Sequence, residues 1–234
     1  MQSIFMAMYR IASDPEDPKT VHVADGHYSP SLNNQLFPIP IKSYTSLVGE
    51  SREGTILDAE GLCFNVFVSA YSKKWMLYNT TLQNAKKGVD LSRSNNYDIS
   101  SVIIRNIDNT GIDPSAINGS HATGENRISN TLINGVTSRD RATPLYFLSY
   151  SGSLFIDNVD ISDCSAPLLP TITISAVDEC DVIIDGCEVH HNRSSSSDVF
   201  GFNTMFQISP SMPYATRLGI EIKNSAFYDN YQGT

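Results

Sequence analysis

The chain has 234 residues, 25 acidic and 16 basic, with a formal net charge of −9; 41% of its residues are hydrophobic and 18% charged. That length is ordinary for one all-β domain. A pI near 4.9 excludes a general nucleic-acid or anionic-membrane surface, because phosphate binding needs a basic stripe and none occurs. No segment approaches the roughly 20 apolar residues of a membrane span.

In chain order, Ile4, Met8 and Ile11 stand near helical spacing, which predicts one short helix within residues 2–12, closed by the polar turn at 13–18. The first ten residues lack the basic start and long apolar run of a signal peptide. Short β segments follow at 20–23, at 37–41 around Pro38 and Pro40, at 46–49 and at 55–58, and no further segment reads as an amphipathic helix.

From about residue 62 the chain repeats a triplet of an apolar residue, any residue, then Asn or Gly. The copies start at Leu77, Ile104, Ile128, Ile156, Ile184 and Ile222, and their third positions are Asn79, Asn106, Asn130, Asn158, Gly186 and Asn224. The intervals are 27, 24, 28, 28 and 38 residues, and the copy at Ile104 matches least well. A second β segment precedes each copy, at 62–68, 89–91, 116–117, 145–148, 171–175 and 204–208. Each repeat therefore supplies three short strands, the mark of a β-solenoid, and the chain reads as an all-β parallel β-helix with an N-terminal capping helix. The apolar triplet residues are expected to stack as one internal column, with Asn or Gly at a corner that needs left-handed backbone angles. The long last interval predicts a loop insertion near 193–216, including departures at 193–203 and 209–214. The domain reading is a single unit over 1–234: cap helix and turn at 1–19, first coils at 20–61, repeated coils at 62–234. A triplet so close to residue 234 predicts that coils, and further domains of the same polypeptide, continue beyond it.

The run Val21 to Pro30, continuing through Phe37-Pro38-Ile39, Ser46 to Glu50 and Thr55 to Ala59, carries a V-x-x-G-x-Y, an L-x-G and a T-I-L-D segment. It resembles the first coils of bacterial right-handed parallel β-helix proteins of the pectin-lyase-like superfamily. The resemblance covers 20–61 closely and the later coils only through the repeat. It implies an exported or surface-attached protein, and a fold that hosts polysaccharide lyases and hydrolases beside members without assigned activity.

The residue in the middle of each triplet faces outward: Tyr78, Arg105, Ser129, Asp157, Asp185 and Lys223. Asp157 and Asp185 on adjacent coils would stand about 5 Å apart. They could share a Ca²⁺ with Asp160 and Glu188, since hard carboxylate oxygens suit that ion, or form the acid/base pair of a glycosidase, with Arg105 or Lys223 as charge stabiliser or base. His191 in His190-His191-Asn192-Arg193 aligns with Asp163 and Asp229 and is a candidate general base; Ser138 to Arg141 is a charge cluster able to grip an acidic sugar. Tyr71, Trp75, Tyr78, Tyr97, Tyr146, Tyr150 and Phe155 could stack on sugar rings, and Met76, Ile103, Phe155 and Ile183 form an outward apolar column. Substrate contacts fall to Tyr78, Phe155 and Lys223. Each of these residues also suits a plain solvated face. Cys63, Cys164, Cys180 and Cys187 lack metal-type spacing and read as small buried hydrophobes, with one disulfide left open. The function expected is an extracellular or cell-surface β-helix domain, structural or carbohydrate-binding; the alternative is a lyase or glycoside hydrolase acting on acidic plant or algal polysaccharide.

Overall fold

The structure, a computed structural model, describes residues 3–69, 71–109, 115–138, 143–165, 170–195 and 206–233. Every recorded strand pairing is parallel and joins one coil to the next, so the chain winds as a parallel β-helix with three faces. Face A stacks eight rungs: Val21, Leu47, Leu77, Ile99, Ile128, Ile156, Ile184 and Ile222 lie in one register column. Two rungs belong to the first coils and six to the repeat. Face B aligns Tyr28, Leu57, Leu82, Ile104, Ile133, Ile161, Val189 and Phe227. Face C begins at Ile39, Phe67, Val89, Ile117, Leu145 and Ile172.

These columns are the core. Period-2 alternation points one residue in two inward, and stacking at about 4.8 Å brings like against like. Burial is complete in the middle coils and fails at the last rung, where Ile220 and Ile222 stand 49% and 47% exposed. At the other end α1 (Ile4–Arg10) covers the first coil with Ile4 and Met8; Ser3 caps it by accepting from the Met6 N–H at 3.2 Å. Lys42 reaches over to donate to the carbonyls of Tyr9 (2.5 Å) and Ile11 (2.6 Å), closing the C-terminal end of the helix.

Corners turn on left-handed residues. Between faces A and B these are Asn79, Ser101, Asn130, Asn158, Gly186 and Asn224, with φ from 49° to 63°. Ser101 is the correction to the repeat: the second copy is Ile99-Ser100-Ser101, so the first two intervals become 22 and 29 residues. Ile104 and Arg105 belong to face B, and Asn106 to the next corner, with Glu60, Asn84, Gly135, Asp163, His191 and Asp229. The triplet pattern could not separate them, because both corners follow an apolar-x-turn sequence.

Three further expectations change. One helical turn, α2 (Pro30–Asn33), forms where none was predicted, from Ser29 as cap, Pro30 at the first position and Asn34 at φ 55°. Residues 209–214, expected as a loop, continue the strand Phe206–Lys223, whose register shifts between Ala176 and Glu179 of its neighbour absorb the extra length. The 193–203 insertion opens instead with a short strand, Arg193–Ser195, paired to Tyr231–Gly233; its remainder, 196–203, lies outside the described residues, as do 139–141. The four cysteines are free, and burial pushes the thiols up, to about 11 at Cys63 and about 12 at Cys164.

Candidate functional site

Face A carries two outward columns. One runs Ser46, Met76, Asp98, Arg127, Phe155, Ile183 and Glu221; the other runs Val48, Tyr78, Ser100, Ser129, Asp157, Asp185 and Lys223. Asp98 and Arg127 thus occupy the middle of what the sequence presents as an apolar column, and Ile103 leaves it for face B. The frame set at Ile104 hid them; the alternation of Tyr97-Asp98-Ile99 and Asn126-Arg127-Ile128 was the signal that would have found them.

The two columns interlock. Asp157 holds the Arg127 guanidinium in an ion pair, and the same guanidinium lies over the Phe155 ring at 5.0 Å. Tyr78 donates to Asp98 Oδ2 at 2.7 Å; burial, with the adjacent Asp98 carboxylate, pushes the Tyr78 phenol up to about 12. Asp98 Oδ1 is buried and finds no hydrogen-bond partner among the described residues. Asp185 is the register partner of Asp157; it accepts from Asn224 Nδ2 at 2.9 Å and faces Lys223 Nζ at 3.8 Å. A groove of about 460 Å³ opens at the start of this face, lined by Lys74, Met76, Asp98, Glu125 and Arg127.

Of the seven predicted platform aromatics three are internal, Tyr71 is exposed, and Tyr78, Tyr146 and Phe155 are half-buried. Trp75, Tyr97 and Tyr150 are buried; Trp75 stacks on Tyr97 at 5.4 Å, and Tyr150 meets Phe147 edge-on at 5.8 Å. Inward positions of a wide coil favour large flat side chains. Of the predicted sugar contacts, Tyr78 and Phe155 stay on face A beside the groove, and Lys223 lies at the last rung.

Face B is built differently. Its outward column runs Asp58, Gln83, Arg105, Asn134, Ser162, His190 and Tyr228. Asp58, 5% exposed, accepts from Gln83 Nε2 (2.7 Å), Asn84 Nδ2 (2.8 Å) and the Glu60 N–H (2.8 Å), and meets His27 Nε2 at 3.0 Å. Burial opposes its ionisation, but these donors outweigh it and hold the carboxyl below the usual range. Arg105 donates through Nε to Gln83 Oε1 at 2.7 Å, so it stands in this network and not beside Asp157 and Asp185.

Asp160 and Glu188 are register partners on face B, past the corner from Asp157 and Asp185. Asp160 faces His190 Nε2 at 3.1 Å, and burial raises its carboxyl; Glu188 accepts from the Tyr228 hydroxyl at 3.1 Å. His191 sits at the second corner with φ 54°, its Nδ1 2.6 Å from His190 Nδ1 and its Nε2 3.9 Å from Asp229. The four carboxylates named for calcium are thus split between two faces. Among the described residues no three His, Cys, Asp or Glu side chains gather as a metal site. A cation at Asp157 would have to displace Arg127.

No family model matches the chain, and no curated protein matches it. Among solved structures it is similar to a pectin methylesterase from Yersinia enterocolitica, at 10% identity and a TM-score of 0.51, covering 100% of this chain and 94% of that one. A protein described as Geobacillus virus E2 ORF18 (12% identity, 96% and 57% coverage) and the A-module of the Azotobacter vinelandii mannuronan C-5 epimerase AlgE4 (12%, 99% and 94%) align at TM-scores of 0.40 and 0.28. The first of these likenesses bears on the fold. Together with the parallel pairings, it shows the fold of this chain to be a parallel β-helix.

Proposed function

We propose that the chain is a β-helix domain of an extracellular or cell-surface protein and that face A binds carbohydrate without cleaving it. The observation that carries this is the groove in which Met76 lies beside Asp98 and Arg127, with Tyr78, bonded to Asp98, and the Phe155 ring under Arg127 on the same face outside its lining. Apolar surface for the faces of sugar rings alternates there with acceptors for their hydroxyls. The likeness to a pectin methylesterase supports a fold able to present such a face, and no more than the fold.

The alternative, a polysaccharide lyase or glycoside hydrolase, rests on the adjacency of Asp157 and Asp185. Acid/base work needs two carboxyls whose environments push them to opposite protonation states. Here the two have the same kind of partner, a cation, Arg127 at Asp157 and Lys223 at Asp185. A calcium-dependent version would further require the ion to outcompete those cations.

The test is incubation with a broad polysaccharide panel, with and without calcium, following unsaturated-product absorbance, reducing ends and binding heat. Binding without product is expected. Product formation lost in Asp157→Ala or Asp185→Ala would establish the alternative.

A further inference from the structure

We infer that face A selects an uncharged, hydroxyl-rich glycan and disfavours polymers of uronic acids; this rests on the carbohydrate-binding reading. The argument is an inventory of charge. Across the rungs from Lys73 to Lys223, face A and its entry corner carry seven carboxylates, Asp98, Glu125, Asp157, Glu179, Asp181, Asp185 and Glu221. Against them stand five cations, Lys73, Lys74, Arg127, Arg217 and Lys223. Three of the five are already matched: Arg127 by Asp157, Arg217 by Asp181 at 2.7 Å, and Lys223 by Asp185 and by Glu221 at 3.4 Å. Of the other two, Lys73 lies over the Tyr44 ring at 5.8 Å and Lys74 stands at the rim of the groove, which Glu125 also lines.

A uronate chain carries one carboxylate per residue and would need a column of free cations along its path. Face A instead presents a surplus of negative charge, which lowers the local concentration of polyanions and raises that of neutral or cationic solutes. Asp98 accepts from Tyr78 through Oδ2, and the buried lining atoms without a partner among the described residues are Asp98 Oδ1, Trp75 Nε1 and Tyr97 Oη, acceptor and donors together, so the preference rests on charge. Arg127, the side chain best shaped for a bidentate carboxylate, is committed to Asp157 and to the Phe155 ring. Phe155 and Ile183, half-buried in the same column, give the ring face of a neutral sugar an apolar bed.

Backbone-matched pairs of polymers isolate the charge: mannan against mannuronan, glucan against glucuronan, and fully methyl-esterified against free polygalacturonate, titrated calorimetrically against the full chain at low salt. The neutral member of the pair that binds is expected to bind at least tenfold more tightly, and added salt should narrow the gap as repulsion is screened. Asp98→Asn, which removes one carboxylate from the groove lining, should narrow the gap between the two members with circular dichroism unchanged. Asp157→Asn, which releases Arg127, should strengthen binding of the acidic member. Equal or tighter binding of the acidic member by the unmodified chain would overturn the inference and leave the carbohydrate reading standing. An unchanged gap in Asp98→Asn would also overturn it, and silence across every pair would overturn the carbohydrate reading itself.

Discussion

Faces A and B are built from the same repeat, yet they differ in what they do with their polar side chains. On face B a buried carboxylate, Asp58, gathers three donors and a histidine from neighbouring coils, and Arg105 and Gln83 extend that network along the stack. On face A the ions lie half in solvent, paired across rungs, and border a groove lined by Lys74, Asp98, Glu125 and Arg127. Buried, satisfied polar groups hold a fold together; exposed, partly satisfied ones are available to a ligand. Face B therefore reads as the structural seam and face A as the working surface.

The largest effect that would break this contrast concerns Asp58. Asp58→Ala strands the Gln83 and Asn84 amides and is expected to cost about 3 kcal/mol in urea unfolding, with glycan binding unchanged in the protein that remains folded. A loss of binding with intact stability would exchange the roles of the two faces. The same group sets a pH dependence. Its folded carboxyl titrates below the unfolded value, so the stability it contributes is present above roughly pH 4 and is lost as the pH falls through the folded value. The acid-side slope of the unfolding midpoint should flatten in Asp58→Asn.

The corner between the faces gives intermediate effects. Gly186→Ala should cost about 2 kcal/mol, since the backbone there has φ 63° and an added Cβ would run into the Asn158 side chain. Asn130→Ala, at φ 49° without that collision, should cost about 1 kcal/mol in the same measurement. If the two are equal, the bond that Asn158 Nδ2 donates to Asn130 Oδ1 at 3.4 Å, and not the backbone angle, governs the corner.

The smallest expected change in stability is on face A. Arg127→Ala removes a surface ion pair and should shift stability by less than about 1 kcal/mol, while exposing the Phe155 ring and altering glycan affinity. A destabilisation as large as that of Asp58→Ala would make face A structural too.

The sequence by itself determined the solenoid. Apolar residues at strand period, a corner residue (Asn, Gly or Ser) every 22 to 38 residues, and three β segments per repeat admit few ways to bury a core other than stacking. It also located α1, the six repeated coils, and the adjacency of Asp157 with Asp185. Tertiary structure decided which corner each turn residue occupies, and hence which face each outward residue joins. Two successive corners share one local pattern, so Ile104 passes for a face A residue until its pairing with Leu82 and Ile133 is seen. That single slip placed Arg105 beside the aspartates and concealed Asp98 and Arg127. Inward or outward was equally undecidable for Trp75, Tyr97 and Tyr150, because an aromatic ring satisfies a wide coil interior and a sugar platform alike, and only the packing of the neighbouring coils says which.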